Sequence, residues 1–284
     1  MVGCTTYSSD ANLTDDDFRQ VSRVIYEHCG INLHDGKKEL VRARLAKRMR
    51  VTKRRSISDY LSYALRDHSG KEFSLLVDAI STNLTSFFRE QKHFDFLCDE
   101  FLPSLITKKR ASGDKVVRAW SAGCSSGEEP YSLAITLLSE LKNAPEFQVK
   151  ILATDISTTV LDRARTGIYP EKRVAPVPAE LKHRYLIREK SDGEKMFRVA
   201  KILRECIYFG QLNLMQEWPI KVPLDFIFCR NVMIYFDKPT QERLVNRYYD
   251  ILQPGGVLFT GHSESLTGIK HRFRYVQPTI YAKV

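Results

Sequence analysis

The stretch from residue 116 to about residue 141 constrains the fold more than any other part of the chain. Val116-Val117-Arg118-Ala119-Trp120 has the β-branched and aromatic content of a buried strand. It runs into Ser121-Ala122-Gly123-Cys124-Ser125-Ser126-Gly127, and a helix is expected at once, over residues 129–141. A strand that enters a helix through such a turn cannot close as a hairpin. Strands alternating with helices argue for a parallel sheet with the helices packed on it. The pattern recurs with a strand at 149–153 ending at Asp155, a helix at 158–166, and strands at 207–212, 224–229 and 257–261. Residues 275–283 can pair as an edge hairpin. The expected class is therefore α/β, a parallel sheet wrapped by helices.

The first ninety residues carry helical signals instead. Thr14-Asp15-Asp16-Asp17 is a capping signal ahead of Phe18, Val21 and Ile25, with Gly30 placed to end the helix. Ser58-Asp59 opens a helix over residues 60–66, and another at 72–80 leads into residues 82–90. Residues 170–206 break the strand–helix alternation with Pro170, Pro176 and Pro178, a short helix and a hairpin turning at Ser191-Asp192-Gly193. The organisation expected is a helical domain with its linker over 1–90 and an α/β domain over 91–284. Residues 170–206 read as an insertion of small antiparallel strands in the second.

Charge is concentrated rather than spread. The net charge is +10, and residues 37–55 alone hold ten lysines and arginines against one acid, Glu39, a net of +9. Val41, Leu45 and Met49 recur at helical spacing, so this segment is expected to dock by a narrow apolar stripe and present Arg44, Lys47, Arg48 and Arg50 outward. Such density exceeds what solubility needs and suits a polyanion, whether nucleic acid, an anionic membrane or an acidic protein surface.

Several classes fall away. The composition, 43% hydrophobic and 27% charged, is that of a globular protein. Its apolar runs are strand-length, and no secretory signal pattern opens it, so a cytoplasmic protein is expected. The six cysteines and seven histidines lack zinc-ligand spacing, and Gly261-His262-Ser263-Glu264-Ser265 lacks the second glycine of a nucleophile elbow. Neither a metal enzyme nor a serine hydrolase is expected.

Ligands of open α/β sheets bind beyond the carboxyl ends of the strands. There Gly123 and Gly127 bracket a tight turn, but the dinucleotide pattern is absent, and Glu128 and Glu129 at the helix start would repel a pyrophosphate. Asp155 stands where an acid accepts bonds from ribose hydroxyls, or where it would cap the following helix. Together these features suit a nucleoside without phosphate, and S-adenosylmethionine fits.

Four blocks then carry a resemblance: Thr82-Asn83-Leu84-Thr85-Ser86-Phe87-Phe88-Arg89-Glu90, Ser121 onward to Ser132, Phe228-Cys229-Arg230-Asn231-Val232-Met233-Ile234-Tyr235-Phe236, and the 261–265 block. In these the chain resembles the class I S-adenosylmethionine-dependent methyltransferases, and among them the CheR family of chemotaxis receptor methyltransferases, from about residue 14 onward. The resemblance implies a Rossmann-like doubly wound methyltransferase sheet, an N-terminal all-helical domain and a linker helix that close over the cofactor, and a small antiparallel β-subdomain insertion. It implies cofactor contacts at Asn83, Thr85, Arg89, Glu129, Asp155, Asn213, Leu214, Arg230 and Asn231, and catalytic roles for Arg89 and Tyr235.

The family's substrate is a glutamate on the acidic helical bundle of a bacterial chemoreceptor, which gives the basic helix a partner. A carboxylate with a reference pKa of ~4.3 is already ionised at neutral pH, so no strong general base is required. Some members also hold a receptor C-terminal peptide on the β-subdomain. Here Arg188 and Arg198 match, but Glu189, Ser191 and Lys195 stand where glycines are expected, which predicts no tight tether. Two alternatives are a nucleic-acid methyltransferase and a non-catalytic S-adenosylmethionine-binding module. The first usually carries an Asn/Asp-Pro-Pro-aromatic tetrapeptide where this chain has Arg230-Asn231-Val232-Met233.

Overall fold

The computed structural model describes residues 14–81, 83–189 and 193–284. Cys4, Thr82 and the expected turn residues Ser191 and Asp192 lie outside them. The chain divides into two compact units, residues 1–82 and 83–284.

The first unit is helical. Helix α1 (Asp15–Cys29) opens on a reciprocal capping box between Thr14 and Asp17 and ends at Gly30, whose φ of 70° is left-handed. Helix α2 (Lys38–Thr52) buries the stripe Val41, Leu45 and Met49. Helix α3 (Ile57–Arg66) starts earlier than expected, because Ser56, not Ser58, places its hydroxyl to accept from the Asp59 amide. Helix α4 (Lys71–Ile80) packs against α2 and α3.

The second unit begins with a helix for which the sequence raised no expectation. Here α5 (Lys92–Phe96) runs through a π turn, Leu97–Phe101, into α6 (Leu102–Ser112). The main sheet then forms from β1 (Val116–Ala122), β2 (Gln148–Asp155), β6 (Ile207–Gln211), β7 (Leu224–Cys229), β8 (Leu252–Thr260), β9 (Arg274–Gln277) and β10 (Ile280–Ala282). Helices α7 (Glu128–Glu140), α8 (Thr158–Thr166) and α12 (Lys238–Ile251) connect them. The strand order is β6-β2-β1-β7-β8-β10-β9. The first five strands pair in parallel, and β10 runs antiparallel to β8 and β9. The chain moves outward from β1 to β2 and β6, then crosses back to lay β7 on the other side of β1. That reversal opens a crevice between the loops after β1 and β7.

The insertion folds as a second, three-stranded antiparallel sheet from β3 (Ile168–Pro170), β4 (Leu186–Glu189) and β5 (Met196–Val199), ordered β3-β5-β4. Three short helices, not one, accompany it: α9 (Glu171–Val174), α10 (Ala179–Tyr185) and α11 (Lys201–Glu205). The core under the switch point is aromatic, with Trp120, Phe226, Phe228 and Phe259 fully buried. Among the described residues no helix is long and apolar enough to cross a membrane.

Candidate active site

The turn after β1 is tied to β2 by its backbone. The amides of Gly123 and Cys124 both donate to the Thr154 carbonyl, at 2.8 and 2.9 Å. Asp155, buried at the end of β2, accepts from the Ser125 amide at 2.8 Å and from the Ser157 amide at 3.0 Å. Capping of α8 falls to Ser157, whose hydroxyl accepts from the Val160 amide. Of the two readings of Asp155, the cap is thus taken by a neighbour. The Leu212 amide donates to the Asp155 carbonyl, which sets Asn213 and Leu214 beside this acid at the end of β6. Only glycine permits the approach at residue 123, where a Cβ would lie 2.3 Å from a methyl of Val232.

Residues 83–90 form a strap pinned along its length. The Ser125 hydroxyl donates to the Asn83 carbonyl, Arg173 to the Thr85 carbonyl, and the Phe88 amide to the Ser132 hydroxyl, at 3.0, 3.0 and 2.9 Å. Arg230 donates to the Arg89 carbonyl. Arg89 itself reaches back to the Leu84 carbonyl at 2.9 Å. Phe88 and Glu90 have φ of 52° and 59°, a left-handed backbone that costs energy in non-glycine residues and persists where the surroundings hold it.

Arg230 is the electrostatic centre. Its side chain is 2% exposed and lies 3.2 Å from both Glu90 and Glu129. It also sits over the Phe228 ring, 5.5 Å from the centroid. Burial raises the Glu129 pKa against the pull of Arg230 and of the Ser121 hydroxyl, 2.6 Å away. For Glu90, burial pushes upward too, but Arg230 and His262 outweigh it and the pKa is lowered. Burial and the charge of Arg230 push His93 down to about 4. The ligand-type atoms of Glu90, His93 and His262 lie within 4.8 Å of one another. Arg230 already neutralises that carboxylate, and a metal ion would lie against its guanidinium.

The turn after β7 has Asn231 left-handed, at φ 60°, and then a single 3-10 turn, Met233–Tyr235, with Tyr235 half-buried at its end. Glu264, to which the sequence alone assigns no role, accepts from the amides of Asn231, Ile234 and Gly261 at 2.7, 3.1 and 2.6 Å. No spacing rule signals this, since Asn231 and Ile234 belong to a loop about thirty residues away and only Gly261 is local.

In the helical unit, the expected outward display of cations is corrected at two positions. Arg48 pairs with Glu72, a nearly buried acid of α4, at 2.7 Å, and Arg44 donates to the carbonyls of Ile80 and Ser81. A buried carboxylate requires a cation, and α2 supplies it. Lys47 and Arg50 remain exposed, although Arg50 also bonds the Ala46 carbonyl at 3.3 Å.

A parallel sheet with its crevice at the switch point, an acid ending the second strand and acidic residues in place of a phosphate loop define a Rossmann-like methyltransferase. Residues 16–81 match the model of the CheR methyltransferase all-alpha domain, and residues 83–282 that of the CheR methyltransferase SAM binding domain. The chain belongs to the CheR methyltransferase family. It is 42% identical to a chemotaxis protein methyltransferase of Borreliella burgdorferi over 98% of this chain and 97% of the other. A second relative, chemotaxis protein methyltransferase 2 of Pseudomonas aeruginosa, is 42% identical over 97% and 95%. The Escherichia coli chemotaxis protein methyltransferase is 39% identical over 95% and 91%. The cofactor is S-adenosylmethionine, and the donor set fits it. Carboxylates at Asp155 and Glu129 suit hydroxyl and ammonium groups, and no lysine or arginine lies in the 121–129 turn to select a phosphate.

Proposed function

We propose that this enzyme methylates glutamate side chains on the helical bundle of chemotaxis receptors, forming methyl esters on the cytoplasmic side. What carries the reading is the near full-length likeness to relatives named chemotaxis protein methyltransferases, with the four motif blocks converging on one crevice. When bound, S-adenosylmethionine supplies a sulfonium-activated methyl group. The glutamate oxygen forms the new C–O bond as the C–S bond breaks, and S-adenosylhomocysteine leaves. No proton moves, which accords with a crevice lacking a nucleophile–base pair.

The residues have to bind, align and exclude water. Asn83, Thr85, Glu129, Asp155, Asn213, Leu214, Arg230 and Asn231 hold the cofactor in this reading. Arg89 orients a carboxylate, and the phenol of Tyr235 donates one directional bond to it. Burial keeps the charges of this site in a low-dielectric setting, where each is stronger than in water. Lys47 and Arg50 steer the acidic receptor. The small sheet lends no support to a receptor tether, since Arg198 is already paired with Glu189.

The test is to incubate the protein with tritiated cofactor and receptor-containing membranes, then treat with base. Volatile tritiated methanol is expected from carboxyl esters. Base-stable label on protein or nucleic acid, or no transfer at all, would reject the reading.

A further inference from the structure

Resting on the glutamate-methylation reading, we propose that Glu264 is a positioning residue for methyl transfer, fixing the 230–235 turn that carries Asn231 and Tyr235. The backbone N–H groups of Asn231, Gly261 and Ile234 converge on its two oxygens. One oxygen takes Asn231 at 2.7 Å and Gly261 at 2.6 Å, and the other takes Ile234 at 3.1 Å. The residue is 5% exposed, so water offers these amides little substitute.

The Ile234 amide belongs to the 3-10 turn, which is too short to satisfy it from within. Asn231, held left-handed at φ 60°, sets where the chain leaves β7, and Tyr235 comes directly after Ile234. Gly261 locks the joint from the other side. A Cβ there would lie 2.7 Å from the Asn231 side-chain nitrogen and from a Glu264 oxygen, and 2.8 Å from the Asn231 amide. The end of β8 and the turn after β7 therefore move together or not at all.

Only an acid of this length serves all three amides. Glutamine of the same shape has one acceptor oxygen, and its NH2 opposes a backbone N–H in either flip. Glu264→Gln should displace the turn while the sheet stays folded. Losing alignment by a fraction of an ångström to 1 Å can cost up to about a hundredfold in rate.

The experiment measures base-labile methyl transfer at saturating cofactor and receptor for wild type, Glu264→Gln, Gly261→Ala and the double variant. Circular dichroism confirms folding of each. We expect kcat of Glu264→Gln to fall about tenfold or more, with receptor KM changed less than about threefold. Gly261→Ala keeps the carboxylate but forces the same joint, so it should lose kcat likewise, and the double variant should be no worse than the worse single. Folded Glu264→Gln within twofold of wild-type kcat, or losses that multiply in the double variant, would overturn the assignment. If Glu264→Gln does not fold, Gly261→Ala alone decides by the same twofold criterion. Wild type distinguishes the two failures. No base-labile label from wild type rejects the glutamate reading, whereas label with undiminished variants rejects only the role of Glu264.

Discussion

Glu90 holds two unlike neighbours in different protonation states. Arg230, at 3.2 Å, keeps the carboxylate ionised, and the same positive charge, together with burial, keeps the His93 imidazole neutral. His93 is 1% exposed and packs edge-on against Phe228 and Phe259, with Nε2 hydrogen-bonded to the Thr279 hydroxyl at 2.7 Å. Its pKa falls from 6.5 to about 4 on folding, so between those values the unfolded chain binds the extra proton and the folded one does not. The contribution is therefore fully present above pH 6.5 and is lost as pH falls toward 4, by up to a few kcal/mol at ~1.4 kcal/mol per pKa unit. Denaturant melts from pH 7 to pH 4 should show that decline, and His93→Gln should flatten it. An unchanged slope in the variant would show that other groups govern the acid limb. Residues of this kind were illegible in the sequence. Asp155 could be found because it ends a strand and Arg230 because it lies in a family motif, whereas His93 and Glu264 owe their roles to side chains and amides brought together across the fold.

Helix α2 shows what periodicity can and cannot decide. The spacing of Val41, Leu45 and Met49 identified the buried stripe, and all three are buried. It could not foresee that the flanking arginines divide between two tasks, because that depends on Glu72, an acid on another helix. Replacing Arg48 by Ala would leave Glu72 buried without its cation. A loss of roughly 3–5 kcal/mol of stability is expected, read as a lowered unfolding midpoint. Charge reversal at Lys47 and Arg50 touches no such pair. We expect Lys47→Glu/Arg50→Glu to raise receptor KM several-fold at low salt, with the difference shrinking as ionic strength rises, and to leave cofactor affinity unchanged. Equal loss of receptor and cofactor binding would count against a steering role. The π turn in the helix before β1 went unread for a related reason, since helical and strand periods do not describe it.

The whole molecule places the proposed cofactor and methyl-transfer residues, from Asn83 to Tyr235, within the second compact unit, although they come from five separate segments. Strand pattern by itself pointed to Asp155, because parallel α/β topology gathers strand ends at one crevice, whereas the other positions were implied by the family resemblance. Sequence reading groups residues 1–90 as the helical domain with its linker, whereas residues 83–90 fold with the second unit, held by Ser125, Arg173, Ser132 and Arg230. A ligand bound in the crevice bridges segments that reach it from separate parts of the chain. S-adenosylhomocysteine at a hundred times its Kd should add about 2.7 kcal/mol to the stability of the unit that binds it. For a unit of this size, that is a rise of roughly 5–10 °C in midpoint. Hydrogen exchange should locate the gain in residues 83–90, 121–129, 155–157, 211–214 and 230–235, while β9 at the far edge of the sheet stays unchanged. A midpoint that rises without protection at those five segments would place the ligand elsewhere on the fold.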